Sequence, residues 1–207
     1  PSSDREGVLA CEVTCVLSLI LGGDDFHVYF AEALQTLITR QESEALRIAA
    51  IKCYCFMSYS SSFITSALEF TASILTMTSE GVYVTSALRA AAAYQWCFLS
   101  TALDAPYVLE MSRSGVFASL SSLLEDTTTA STEVKIAAGT CIAYLWEVAD
   151  AHSPNLCAEA SGELLCEDAE VVSATLALLR SISNESSKRI SKKDKKETKS
   201  AFKSMLA

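Results

Sequence analysis

Four stretches of this chain open on a basic residue, run through small residues and end in bulky apolar ones. They begin at Arg5 (REGVLACEVTCVLSLIL), Arg47 (RIAAIKCYCFMSY), Arg89 (RAAAAYQWCFLSTAL) and Lys135 (KIAAGTCIAYLWEVA), at intervals of 42, 42 and 46 residues. A period of about 40–47 residues is that of armadillo and HEAT repeats, each a pair of helices. One such pair cannot bury its apolar surface alone, so neighbours must stack and share an interior. The spacing therefore predicts an all-α chain, an armadillo/HEAT-like α-solenoid of about four antiparallel helix pairs.

Composition agrees with long helices. Only seven Gly and three Pro serve 207 residues, too few for the many tight turns of an all-β protein. Half the residues are apolar and 20% are charged, which is a globular balance. The helices with Ala runs, at Ala90 to Ala93 and Ala137–Ala138, are apolar nearly all round and belong in an interior. Between them the sequence predicts covering helices over 24–40, 61–78, 107–125 and 168–183. The first presents Phe26, Phe30, Ala33, Leu34 and Leu37 on one stripe, and the last presents Ala169, Val172, Leu176 and Leu179. Ser43 and Asp24 stand where N-caps are wanted, and Gly22–Gly23 where a helix should stop. The stretches 126–132 and 151–167 read as loops, the second because it holds Pro154.

Chemistry-bearing motifs give little. The sequence contains no Gly-rich phosphate loop, no nucleophile elbow and no paired-His metal motif. His27 reads as a surface or capping residue at a helix start, and His152 as a loop residue, so general acid–base machinery is not expected. Asp24–Asp25 and Glu167–Asp168 fall at helix N-termini, where the helix dipole favours them. Of the eight cysteines, Cys11, Cys15, Cys53, Cys55, Cys97 and Cys141 lie in apolar helical segments and read as small hydrophobes. Cys157 and Cys166 lie in or beside a loop and could pair. Cys11 and Cys15 share a helix face, but a zinc site needs four ligands. The expectations are no enzyme, no catalytic residue, no metal, no cofactor and no small-molecule substrate. The apolar run from Val8 to Leu21 is short of the roughly 18–20 residues that span a bilayer, so no membrane partner is expected either. The chain begins at Pro1, which reads as part of a longer protein.

Charge is divided unevenly. Residues 188–207 carry eight basic residues against Asp194 and Glu197, a net +6, while the rest carries eight basic and 23 acidic residues, a net −15. Lys188, Arg189, Lys192, Lys193, Lys195, Lys196, Lys199 and Lys203 are the candidate contacts for RNA or another phosphate polymer. Near the end Thr198, Ala201, Phe202, Met205 and Leu206 recur at steps of three and four, as in a short amphipathic helix. Phe202, Met205 and Leu206 would form its docking side. The expected organisation is a repeat domain over 1–186 and a basic segment over 187–207 leading to a domain outside this chain. The same basic run also fits a nuclear-import signal.

Two segments carry a family resemblance. VKIAAGTCIAYLWEVAD, from Val134 to Asp150, and SKRISKKDKKETKSAFKSMLA, from Ser187 to Ala207, resemble the interferon-related developmental regulator family. The match runs through Lys135 to Gly139 and Leu145 to Ala149. It continues through Lys192, Lys193, Lys195, Lys196, Lys199, Ser200, Phe202, Lys203 and Leu206. Thr140 departs from the pattern, standing where the family often has Glu. The resemblance implies a non-enzymatic, armadillo-like regulator of gene expression in the cytoplasm, the nucleus or both. It implies translationally inactive ribosomes and their RNA, or corepressor-type protein complexes, as partners. A protein-only co-regulator adaptor, its basic run serving for import, is the alternative.

Overall fold

The computed structural model describes residues 2–40, 43–77, 84–125, 131–154 and 158–184. Among these, every regular element is a helix. The chain divides into two compact units, Pro1–Ala102 and Leu103–Ala207, each taken by itself below. The boundary expected near residue 187 lies outside the described residues.

The first unit holds α1 (Ser2–Leu21), α2 (Gly23–Thr39), α3 (Glu44–Tyr59), α4 (Ile64–Thr76) and α5 (Ser86–Ser100). Helices α1, α3 and α5 start 42 residues apart, matching the sequence interval. They pack in succession, α1 on α3 and α3 on α5. Each intervening helix packs most extensively on the helix after it: α2 on α3 more than on α1, and α4 on α5 more than on α3. The packed hairpins are thus α2–α3 and α4–α5.

The core follows from residue type. Ala50, Ile51, Cys53, Tyr54 and Cys55 of α3 are fully buried, as are Leu88, Ala92, Ala93 and Trp96 of α5. Small residues let the helix axes approach closely, and Trp96 fills what they leave. The Ser43 and Thr85 side chains accept from Leu46 and Leu88 N–H and so start α3 and α5. Gly22 breaks α1 from α2 with φ of +101°, a conformation that favours glycine.

Three expectations for this unit need correction. The packed line of α2 is Gly23, His27, Leu34 and Ile38, whereas Phe30 and Ala33 are exposed. The apolar band of α2 is wider than one stripe, and its partner takes the edge that holds His27. Asp24 is not the cap of α2. Its carboxylate accepts from Ser62 N–H (2.8 Å) and Ser62 Oγ (3.0 Å), tying α2 to the turn before α4. His27 is buried and not a surface residue.

The second unit holds α6 (Ala105–Met111), a kinked link (Ser112–Val116), α7 (Phe117–Glu125), α8 (Thr132–His152), α9 (Ala158–Leu165) and α10 (Ala169–Asn184). The covering helix expected over 107–125 is broken at Gly115, whose φ is +125°. The expected loop over 151–167 contains α9. Helix α9 is held from both sides: Ser161 Oγ donates to Asp150 of α8 (2.9 Å), and Gly162 lies so close to Val172 of α10 that a Cβ there would clash. Asp168 caps α10 by accepting from Glu170 and Val171 N–H. Val172 and Leu179 are buried, Leu176 is half-buried and Ala169 is exposed. Ala137, Ala138, Cys141, Ile142 and Leu145 make α8 the centre of this unit, with α6, α7 and α9 packed on it.

Candidate interaction surface

Two of the four basic residues that open these stretches, Arg47 and Arg89, act on the helix before them. Arg47 is buried, and its Nε donates to the Ile38 carbonyl in the last turn of α2 at 2.8 Å. Arg89 Nη2 donates to the Met77 carbonyl, at the C-cap of α4, at 2.9 Å. The last carbonyls of a helix lack intrahelical donors and carry its negative dipole end, so a guanidinium suits them. Burial pushes the Arg47 guanidinium down from its ordinary value, and Glu44 opposes that shift.

Helix α1 is built on the same pattern yet carries the largest apolar exposure of this unit. Its buried side holds Cys11 and Ser18, against α3. Its outer side holds Leu9 (57% exposed), Val13 (49%), Val16 (57%), Leu17 and Ile20, spaced as one face of a helix. Val28 and Tyr29, exposed on α2, add to the apolar surface of the same unit. Exposed apolar residues in a cluster, as opposed to single ones, mark a surface built to be covered.

Three thiols meet beneath that face. Cys11 and Cys15 of α1 both share hydrogen bonds with Cys53 of α3, which hold the first two below the ordinary thiol range and push Cys53 above it. Burial pushes the neighbouring Cys55 up as well. Cys11, Cys53, Cys55, Cys141 and Cys166 are buried free thiols, and Cys15 and Cys97 are half-buried ones. Cys157 lies outside the described residues. No group of three or more His, Cys, Asp or Glu side chains among the described residues could hold a metal ion.

His27 stacks on Phe63 at 4.2 Å and lies 5.6 Å from Tyr54, and its Nε2 is buried without a hydrogen-bond partner. Burial lowers its pKa, and Asp24 works against that. In the second unit His152 is exposed in the last turn of α8 and lines an open groove with Glu110, Arg113 and Glu167. Arg113 and Glu167 form an exposed ion pair there at 3.1 Å.

Every residue singled out from sequence for phosphate contact (Lys188, Arg189, Lys192, Lys193, Lys195, Lys196, Lys199 and Lys203) lies outside the described residues. So do Phe202, Met205 and Leu206. The apolar face of α1 escaped sequence reasoning, because its residues have the same character as the buried ones of α3. One sign was present: where α3 and α5 carry the buried Tyr54 and Trp96, α1 carries the exposed Glu12. No helix among the described residues is long and apolar enough to cross a membrane. A family model described as interferon-related developmental regulator matches residues 1–207. No curated protein and no solved structure matches the chain.

Proposed function

This chain belongs to the interferon-related developmental regulator family, and on that premise we propose that it is a non-enzymatic scaffold acting on gene expression through translationally inactive ribosomes or RNA, together with regulatory protein complexes. Membership in the family suggests a regulatory role. The scaffold is an armadillo/HEAT-like solenoid of about four helix pairs over 1–186, working in the cytoplasm, the nucleus or both. Residues 187–207 form its phosphate-binding extension. Helix starts at Ser2, Glu44, Ser86 and Thr132 support the repeat reading, since they keep the sequence intervals of 42, 42 and 46 residues.

The observation that carries the RNA reading is the division of charge, +6 over 188–207 against −15 elsewhere. A cationic segment gains affinity for a phosphate polymer by releasing its counterions, whereas an acidic repeat domain repels the same polymer. RNA is thereby directed to the extension, leaving the apolar helical surface to protein.

The test is RNA or ribosome association across a salt series. Binding should weaken steeply as salt rises, and should vanish at moderate salt when Lys192, Lys193, Lys195 and Lys196 are all changed to Glu. Undiminished binding by that variant would remove the extension from the contact. The exposed apolar face of α1 and α2 favours a second reading, a protein-only adaptor. Under it, the same protein partners are recovered with or without nuclease.

A further inference from the structure

We propose that Cys15 and Cys53 are an oxidation site, a pair of thiols that a hydroperoxide converts to a reversible disulfide stapling α1 to α3, with Cys11 as a third thiol able to exchange into it. The site is independent of RNA binding.

Three observations bring the sulfurs together. Cys11 and Cys15 lie four residues apart and so stand on one face of α1, a turn from each other. Cys53 lies 42 residues after Cys11, one repeat on, in the helix against which α1 packs. Its thiol is in hydrogen-bond contact with both α1 thiols. The two helices also approach closely, as a bond that needs Cα atoms about 4.4–6.8 Å apart requires. A Cβ at Gly7 of α1 would come within 2.8 Å of Leu46 Cδ1 of α3. Cys55 is placed differently. Two residues from Cys53, it lies on another side of α3, and burial alone pushes its thiol up.

Access divides the roles. Cys53 admits no solvent and Cys11 is 7% exposed, whereas Cys15 is half-buried and meets a small oxidant first. The thiolate is the nucleophile, and the hydrogen bond from Cys53 holds Cys15 below the ordinary thiol range against the effect of burial. The Cys15 thiolate attacks one oxygen of the hydroperoxide. The O–O bond breaks, the departing oxygen takes up a proton as water or alcohol, and Cys15 becomes a sulfenic acid. The Cys53 sulfur then attacks the Cys15 sulfur. The S–S bond forms, the S–O bond breaks, and hydroxide leaves as water with the Cys53 proton. Two electrons have passed from the sulfurs to the peroxide, and a dithiol reductant returns them. Cys11, in contact with Cys53, can displace Cys15 by thiolate attack on the Cys53 sulfur, which moves the bond without net oxidation.

The full 207-residue chain, reduced and then treated with hydrogen peroxide, tests this. With free thiols blocked in denaturant afterwards, peptide mapping should find Cys53 joined to Cys15, with a smaller share joined to Cys11. The bond should raise the thermal midpoint by about 5 °C, a gain that dithiothreitol removes. Cys53→Ser should leave Cys15 as a sulfenic acid that dimedone traps, and Cys97→Ser should leave the Cys53 bond unchanged. If Cys53→Ser loses helicity, the mapping of the unaltered chain decides alone. The proposal is overturned if peroxide leaves Cys53 a free thiol in the folded chain, or if Cys15 passes to sulfinic acid with no bond to Cys53. It is equally overturned if the same Cys53 bonds form as abundantly when the chain is oxidised in denaturant, since the folded contact then directs nothing.

Discussion

Helices α1 and α3 begin 42 residues apart and open on the same arginine pattern, yet three matching positions are closed in α3 and open in α1. In α3 the positions of Ile51, Cys55 and Ser58 admit no solvent, while Leu9, Val13 and Val16 of α1 stand about half exposed. Their chemistry does not separate them: the exposed set is the more hydrophobic. What differs is the neighbours. Helix α3 has α1 and α2 before it and α4 and α5 after it, whereas α1 packs mainly on α3. In a repeat array, burial belongs to the contact between units more than to the unit itself. Hydrophobicity then reports what a helix is made to touch, and only the structure reports what touches it.

The sharpest way to break the comparison is to truncate the same repeat position in both helices. Ile51→Ala should cost about 2–5 kcal/mol, the usual range for removing a fully buried aliphatic side chain. Leu9→Ala, at the equivalent position, should stay within about 0.5 kcal/mol, as exposed substitutions do. Denaturant titration of both variants decides it. Comparable losses would mean that the α1 face is covered in solution.

The arginines sharpen the same contrast at a smaller scale. Arg47→Met removes a buried guanidinium donating to the end of α2, and hydrogen bonds to charged groups contribute about 1.5–3 kcal/mol. Methionine keeps the aliphatic stem, so the loss reports the clamp and not the packing. Arg5→Met in the same chain should move the midpoint hardly at all. Equal effects would show that Arg47 matters through its charge in general and not through Ile38.

The comparison also marks how far the sequence was legible. Helix positions, the 42-residue spacing and the Ser43 cap could be read directly, because Ala runs, cap residues and a fixed period are local signals. His27 could not: its burial is imposed by Phe63, from the turn before α4, and by Tyr54, from α3. Helix α9 was hidden for a related reason. Its stretch holds Gly162 and follows Pro154, both loop-like locally, and packing against Val172 and Asp150 overrides that preference. Gly115 was equally ambiguous, since an isolated glycine inside a helical pattern is often tolerated and here introduces a break. Of the candidate site, the arginine series was visible as a motif, but its role needed coordinates. The lysine-rich segment was legible only as charge.

The smallest expected effect separates the two acid-sensitive groups at the start of α2. The folded-state pKa of His27 is depressed by burial, so the unfolded chain takes up its proton first, near the ordinary value of 6.5. Above that pH both states hold a neutral imidazole and stability is flat. As pH falls below it, the unfolded state binds more protons and stability declines until the folded pKa is reached. Asp24 behaves differently because its carboxylate is held below 3.8 by Ser62 N–H and Ser62 Oγ, so its contribution is present above that value and fades only at lower pH. Thermal midpoints measured from pH 7 downward should therefore show a first, shallow decline that His27→Gln removes. A second decline in the carboxylate range should survive that change. Should His27→Gln leave the first decline in place, the imidazole is already hydrated in solution, and the covering of α2 by Phe63 is looser than the packing of α3 beneath it.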